Sequence, residues 1–311
     1  VRVPGGPDLI IVGQVTIDDV VPAAPGPWHR QMGGSSLYAV AGARLWLAPE
    51  RIGLLARAGS DYPFDVDGLL RAAGLRHIAL PVFPGEHLVE WLIYEPDGTR
   101  RSLPRNPRLL EIGAEGSASM NPYTDLLLDI APSAEQLPPA WLPAAALHLC
   151  PQVGRRHRDS LSALRDVIGW ISVDPSPHYS RSMDIPALAQ YLEGATAFLP
   201  SAQEVQGLLA TMEPDALALA LHRAGFREVV IKRGDQPVQL ASDDTTLCVS
   251  AVPVPVVDPT GAGDGFCGAY AACRLLGHSP FESVRRAIAS AALIVGCSGV
   301  ESALRLQTPD L

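Results

Sequence analysis

Apolar residues fall in two rhythms along this chain. Short unbroken runs closed by glycine or proline alternate with longer stretches in which small and apolar residues recur at helical spacing. Leu9-Ile10-Ile11-Val12, closed by Gly13, is the first run. With no polar alternation it predicts a buried parallel strand, delivering the chain to a loop that carries Asp18 and Asp19. From Thr16 to Met32, β-rich pieces at Ile17–Val21 and Trp28–Met32 flank a Pro/Gly turn and predict a projecting hairpin. Gly33-Gly34 ends it, and an alanine-rich helix follows from Ser35 or Ser36 to about Leu47, with a serine available as cap. Arg51–Gly59 reads as a second strand and turn, and Asp67–Gly74 as a helix closed by Gly74. A second hairpin is predicted over His87–Tyr94 and Thr99–Leu103 around Pro96-Asp97-Gly98, with Arg100 and Arg101 on its charged edge.

Residues 107–143 are proline-rich and irregular, with one apolar run at Thr124–Ile130. Strands are then expected at Ala144–Cys150, Trp170–Val173 and Glu228–Lys232, and a helix at Ser160–Gly169 approached by a solvated His157-Arg158-Asp159. A strand-rich stretch runs on to Val257. After it come a helix closed by Gly277 and a capped helix from Pro280 to about Val295. Strands alternating with helices over most of the length predict an α/β, doubly wound sheet, with ligands beyond the carboxyl ends of its strands.

Composition narrows the function. With 311 residues, 47% hydrophobic and 18% charged, the chain can bury a large core, and a net charge of −9 without a dense Lys/Arg cluster argues against nucleic acid or an anionic membrane as partner. The longest apolar stretch, about Ala287–Val300, is too short to span a bilayer, and no basic-then-apolar leader pattern stands at the start, so a cytoplasmic setting is expected. The five cysteines are scattered without a CxxC pair and read as buried thiols; the eight histidines form no ligand-spaced set.

The chemistry concentrates in Val256-Val257-Asp258-Pro259-Thr260-Gly261-Ala262-Gly263-Asp264-Gly265-Phe266. Successive small residues at a helix start leave backbone N–H groups bare, and with the helix dipole they make a pocket for phosphate-like charge. An acid there repels an anion unless it serves as a base that deprotonates an attacking hydroxyl while the amides steady a phosphoryl group. A dinucleotide fingerprint also fits Gly263-x-Gly265-x-x-Gly268, but the acid expected at the end of the next strand is missing: Glu282 has the spacing and sits in a second helix start. No Walker A sequence is present.

This stretch resembles the Asp-Thr-x-Gly-Ala-Gly-Asp signature of the PfkB/ribokinase family of carbohydrate kinases, with Asp258, Thr260, Gly261, Ala262, Gly263 and Asp264 on the pattern. The resemblance is sharp at residues 258–264, fair at 9–63 and loose elsewhere. It implies a single ribokinase-like domain over residues 1–311, with a small β lid formed by about 14–32 and 86–104. By that analogy Asp264 is the base, Gly261, Ala262 and Gly263 form the anion hole, and Asp258 with Thr260 is a support that in some members touches a monovalent cation such as K⁺. Asp18 (rather than Asp19), Gly33 and Gly34 transfer as substrate contacts, joined by Gln152 and by Tyr38, which stands where sugar kinases of the family place Asn. Ala58-Gly59-Ser60-Asp61 resembles the family's Gly-x-Asp turn, and Asp174-Pro175-Ser176 its Asp-x-Asn segment.

Lys232 and Gly234 resemble the family's phosphate loop, with lysine replacing its threonine and Pro237 its last glycine. Ser201 and Glu204 resemble Asn-x-x-Glu, whose Glu helps to hold Mg²⁺ through water; the same Ser-x-x-Glu is also a helix capping box, and both readings fit. The implied reaction is transfer of the ATP γ-phosphoryl group, with Mg²⁺, to a polyhydroxylated small molecule: a sugar, cyclitol or nucleoside. The alternative is a non-catalytic sensor of nucleotide or sugar on the same fold. A monomer and a homodimer through the lid are both compatible with the family.

Overall fold

The computed structural model describes residues 5–21, 26–95, 100–105 and 122–307. The elements in chain order are β1 (Leu9–Val12), β2 (Thr16–Val21), β3 (His29–Gly33), α1 (Ser35–Arg44), β4 (Ile52–Leu55), β5 (Ala58–Gly59), α2 (Val66–Ala72), β6 (His77–Ala79), β7 (Val82–Phe83), β8 (Val89–Tyr94) and β9 (Arg100–Pro104). They continue with α3 (Pro122–Ile130), β10 (Ala146–Leu149), α4 (Gly154–Leu164), β11 (Trp170–Val173), α5 (Pro177–Ser180), α6 (Ile185–Tyr191), β12 (Ala197–Phe198), α7 (Gln206–Leu209) and α8 (Pro214–Arg223). Last come β13 (Glu228–Ile231), β14 (Val238–Ser242), β15 (Thr245–Val249), α9 (Ala262–Leu275), α10 (Pro280–Ile294) and α11 (Gly299–Ala303).

The main sheet has the order β15-β14-β13-β12-β11-β10-β1-β4-β6. It is parallel from β6 to β13, and β14 and β15 close it as an antiparallel edge. Both faces are covered, which explains the unbroken apolar runs: along β1, Leu9 and Ile11 enter the core under α1 and α9, while Ile10 and Val12 enter the core under α4, α6 and α8. A second sheet, β3-β2-β8-β9, joins the two predicted hairpins, with β2 and β8 parallel at its centre.

α1 and α9 lie almost backbone to backbone. A Cβ on Gly42 would stand 1.9 Å from Gly265 O, and one on Gly268 would stand 1.8 Å from Ala39 O. Glycine is therefore required where these helices cross, and the crossing ties the first βα unit to the predicted signature helix.

Several expectations are corrected. Asp18 and Asp19 lie within β2 rather than in a loop. Ser35 and Ser36 do not cap α1, whose N-cap is Gly34; the Ser36 hydroxyl instead donates to Gln14 O. α4 begins at Gly154, so His157 is no solvated approach but fully buried, with Tyr179 Oη and Cys150 O as partners. Val256 and Val257 belong to no strand and are exposed, since among the described residues no strand pairs with residues 250–257. The thiols of Cys150, Cys267 and Cys273 are buried, but Cys248 is exposed and Cys297 half-buried. The side chains of Arg100 and Arg101 and the turn at 96–98 lie outside the described residues.

Candidate active site

α9 starts on a stretch of backbone held by its neighbours. Val257 N and Asp258 N both donate to Val295 O, at 2.8 and 3.1 Å, and the Asp258 carboxylate accepts from Thr260 N at 2.9 Å, closing a tight turn. Gly261 follows as N-cap in the left-handed region, φ +74°. It is glycine for a second reason: a Cβ there would lie 2.0 Å from the Tyr38 ring. The helix thus starts with no side-chain cap, and past it Gly263 is exposed and Asp264 half-buried in the first turn. Ala262 N donates to Pro259 O at 3.4 Å.

Tyr38 lies against the start of α9. Its ring packs under Gly261, its residue is 2% exposed, and its hydroxyl has no hydrogen-bond partner among the described residues. Burial raises its pKa, and the charges of Asp258, Asp18 and Asp264 and the phenol of Tyr94 raise it further, so the phenol is neutral. Asp18 is buried, accepts from Thr16 Oγ1 at 2.6 Å and fills the space over Gly33, where a Cβ would stand 1.9 Å from Asp18 Oδ2. Gly34 has φ +113° and passes so close to Gln14 and Val15 that no side chain fits.

Asp19 turns to the opposite face. Fully buried, it binds Arg30 through two bonds at 2.8 and 2.9 Å and also pairs with Arg105, whose guanidinium lies over Trp28 and Trp91. Although burial works against ionisation, these two arginines hold its carboxyl below the usual range. Asp18 and Asp19 differ in surroundings because alternate residues of a strand face opposite ways.

Gln152 follows β10 at the same edge of the sheet. It is 3% exposed, and among the described residues neither its amide nitrogen nor its amide oxygen has a partner. A buried amide with every valence open is costly unless something binds there. Sequence reasoning missed two neighbours. Tyr94, on β8, meets Thr260 hydroxyl to hydroxyl, joining the small sheet to the signature turn. Gln31, opposite Asp18 on β3, lies against Gly299 and leaves its buried amide nitrogen unpaired.

The nucleotide-side candidates assemble around Lys232. Its ammonium donates to Asp174 Oδ2 at 2.6 Å and to Cys267 Sγ at 3.1 Å, and lies 3.7 Å from where a Gly263 Cβ would be. Burial alone lowers the lysine pKa, but the charges of Asp174 and Glu204 and the Cys267 sulfur beside it raise it by more; burial also raises the Asp174 carboxyl, opposed by Lys232, and the short contact between the two is that of an ion pair with the proton on lysine. Ser201 bridges to Lys232 through the backbone. Ser201 and Glu204 also make the predicted reciprocal cap: Ser201 N donates to Glu204 Oε2 at 2.5 Å and Glu204 N to Ser201 Oγ at 3.4 Å. Burial raises the Glu204 carboxyl, opposed by Lys232 and Ser201 and reinforced by Asp264. Gly234, φ +63°, turns the chain after β13 and faces open space. Among the described residues no group of three or more His, Cys, Asp or Glu is placed to hold a metal ion by itself, and no helix is long and apolar enough to cross a membrane.

Residues 172–306 match the model of the pfkB family carbohydrate kinases. The chain is 24% identical over 287 residues to a cytidine kinase of Thermococcus kodakarensis, covering 89% of this chain and 92% of that one. Among solved structures it resembles a candidate ribokinase II from E. coli at 23% identity over 95% of both chains, TM-score 0.70 for the apo form. The complex of that protein with ATP and Mg²⁺ gives a TM-score of 0.66 over 96% of both chains, also at 23% identity. A Burkholderia thailandensis nucleoside kinase in complex with inosine matches at 16% identity over 95% of this chain and 92% of its own, TM-score 0.69.

Proposed function

We propose that this chain, a pfkB-family carbohydrate kinase with the ribokinase-like fold, transfers the γ-phosphoryl group of ATP to a hydroxyl of a sugar, cyclitol or nucleoside-like small molecule, with Asp264 as base. One observation carries this reading: Tyr38, whose ring packs against the Gly261 turn that opens α9, is a group on which the charges of Asp18 in the small sheet and Asp264 of α9 both act. An acceptor hydroxyl held there by Asp18 would face the proton acceptor and the helix-start amides together, of which Ala262 N is already bonded to Pro259 O at 3.4 Å. As Asp264 takes the hydroxyl proton, the acceptor oxygen bonds to phosphorus, the bond to the bridging oxygen breaks and ADP leaves, with Gly261, Ala262 and Gly263 facing the developing charge.

Lys232 and Gly234 would face the phosphates, and the small sheet would act as a lid through Tyr94 and Thr260, excluding water from the transfer. The donor set fits a Mg²⁺ ion brought in by the nucleotide: the Glu204 and Asp264 carboxyls act on one another, and a cation would offset that concentration of negative charge. When bound, Mg²⁺ would supply charge neutralisation, and Glu204 is the residue that would hold it through water. Asp258 is the candidate for a monovalent cation, its carboxylate already shaping the turn. Tyr38 and Gln152 would supply the polar contacts that distinguish the acceptor.

The reading of a non-catalytic sensor draws on the fact that Ser201 and Glu204 satisfy each other and that Lys232 is engaged by Asp174. An ADP-release screen over sugars, nucleosides and inositols separates the two. Asp264→Asn is expected to abolish turnover while leaving ATP affinity within a few-fold, since removing the base does not empty the nucleotide site. Unchanged turnover in that variant removes Asp264 from its role.

A further inference from the structure

The residue that follows the buried strand β13 is a lysine, and Lys232 is only 8% exposed. A buried ammonium is costly unless paired, and here the partners form a closed trio. Lys232 Nζ binds Asp174 Oδ2 and Cys267 Sγ, and Cys267 Sγ in turn lies 3.3 Å from the same carboxylate oxygen. Burial pushes the Cys267 thiol well up, with Asp174 adding to it, so it stays protonated and donates to Asp174. These contacts occupy two of the three ammonium donors, and the exposed Gly263 lies beside them.

The trio is poorly built as a mere salt bridge. Asp174 Oδ1 is buried without a partner among the described residues, whereas a pair retained for stability does best when both oxygens are bonded. The arrangement does keep the ammonium on a definite side of α9. A lysine on its flexible stem could otherwise swing to Asp264 or Glu204, both of which act on this cluster, and pairing with Asp264 would weaken it as a base.

Resting on the kinase reading above, we propose that Asp174, assisted by Cys267, is a positioning residue that holds Lys232 beside Gly263, so that the ammonium meets the transferring phosphoryl group and stays off the base. Asp174 itself touches neither substrate. Because the ammonium is shared with Asp174, it grips ground-state phosphates weakly and serves the transition state more, which places its effect in kcat.

The test compares wild type, Asp174→Asn, Asp174→Glu and the double variant Asp174→Asn/Lys232→Met for kcat, KM for ATP, calorimetric affinity for Mg-ADP, and thermal midpoint. Asp174→Asn should lower kcat by about tenfold or more with Mg-ADP affinity unchanged or tighter, and Asp174→Glu should recover part of kcat. The double variant should regain the midpoint lost in Asp174→Asn, since the unpaired buried charge is gone, yet stay as slow. A double variant with wild-type kcat, or an Asp174→Asn that loses nucleotide affinity and kcat in the same proportion, overturns the positioning role while leaving the kinase reading intact. A wild type that neither binds Mg-ADP nor releases ADP with any acceptor overturns the kinase reading and this inference with it.

Discussion

Acidification should unfold this protein through two histidines sealed beneath the sheet edge. His157 is fully buried, its Nδ1 bonded to Tyr179 Oη at 2.8 Å and its Nε2 to Cys150 O at 2.8 Å. Burial pushes its pKa down to about 4 from an ordinary 6.5, against the pull of the Cys150 carbonyl. His148, also fully buried, is pushed to about 3 by burial and by the charges of Lys232 and His157. Both rings are neutral in the fold and take up protons on unfolding, so the unfolded state binds more protons below about pH 6.5 and stability falls with pH. At about 1.4 kcal/mol per pKa unit, the shift from pH 7 to pH 5 costs about 2 kcal/mol for each ring, about 4 kcal/mol for the two. His87 and His178, whose pKa values burial also lowers, act in the same direction.

Urea unfolding at pH 7, 6 and 5 measures this, and the window stays above the range in which the ion-paired Asp19 titrates. His157→Gln removes one titrating ring, so whatever its stability at pH 7, the loss between pH 7 and 5 should shrink by about 2 kcal/mol. A wild type whose stability changes by less than about 1 kcal/mol over that interval, or a variant with an undiminished slope, refutes the argument.

Other perturbations test the packing of the site. Gly261→Ala must strain a left-handed position and drive a methyl into the Tyr38 ring; a loss of about 2–4 kcal/mol in urea unfolding is expected, with turnover falling in parallel. Gly268→Ala should cost about 1–3 kcal/mol by forcing α9 off α1, with a larger effect on kcat than on ATP affinity because Asp264 rides on α9. Tyr94→Phe removes the hydroxyl contact with Thr260; at about 1 kcal/mol for one hydrogen bond, the KM for the acceptor should rise about fivefold in steady-state assays. Asp19→Asn should leave the main-sheet amides protected while hydrogen exchange in β2, β3 and β8 accelerates, since Arg30 and Arg105 lose their shared anion.

How much was legible beforehand depends on the distance over which each feature is decided. The signature turn was read correctly because its cause is local: a run of small residues permits the left-handed Gly261, and Asp258 is two residues from the amide it binds. The Ser201–Glu204 cap and the Ser279 cap of α10 were legible for the same reason. The strand pattern held wherever both faces of the sheet are covered, and misled at Val256–Val257, where β-branched residues have no neighbouring strand. His157 was misjudged because a polar tripeptide looks solvated until the fold brings Tyr179 to it. Cys267 read as an inert thiol and Asp174 only as part of a loosely matching segment; the available signal was Lys232 itself, an ammonium at the end of an apolar strand that needed a buried acid somewhere.

Sequence by itself determined the local conformations here, because propensity, capping and glycine freedom act within a few residues of their cause. The partnerships across 93 residues between Asp174 and Cys267 and across 58 between Asp174 and Lys232 were decided only by tertiary structure. So was the meeting of Tyr38 with Gly261. Side chains that distant in the chain act on one another only after strand order and helix crossing have excluded water and set their separation.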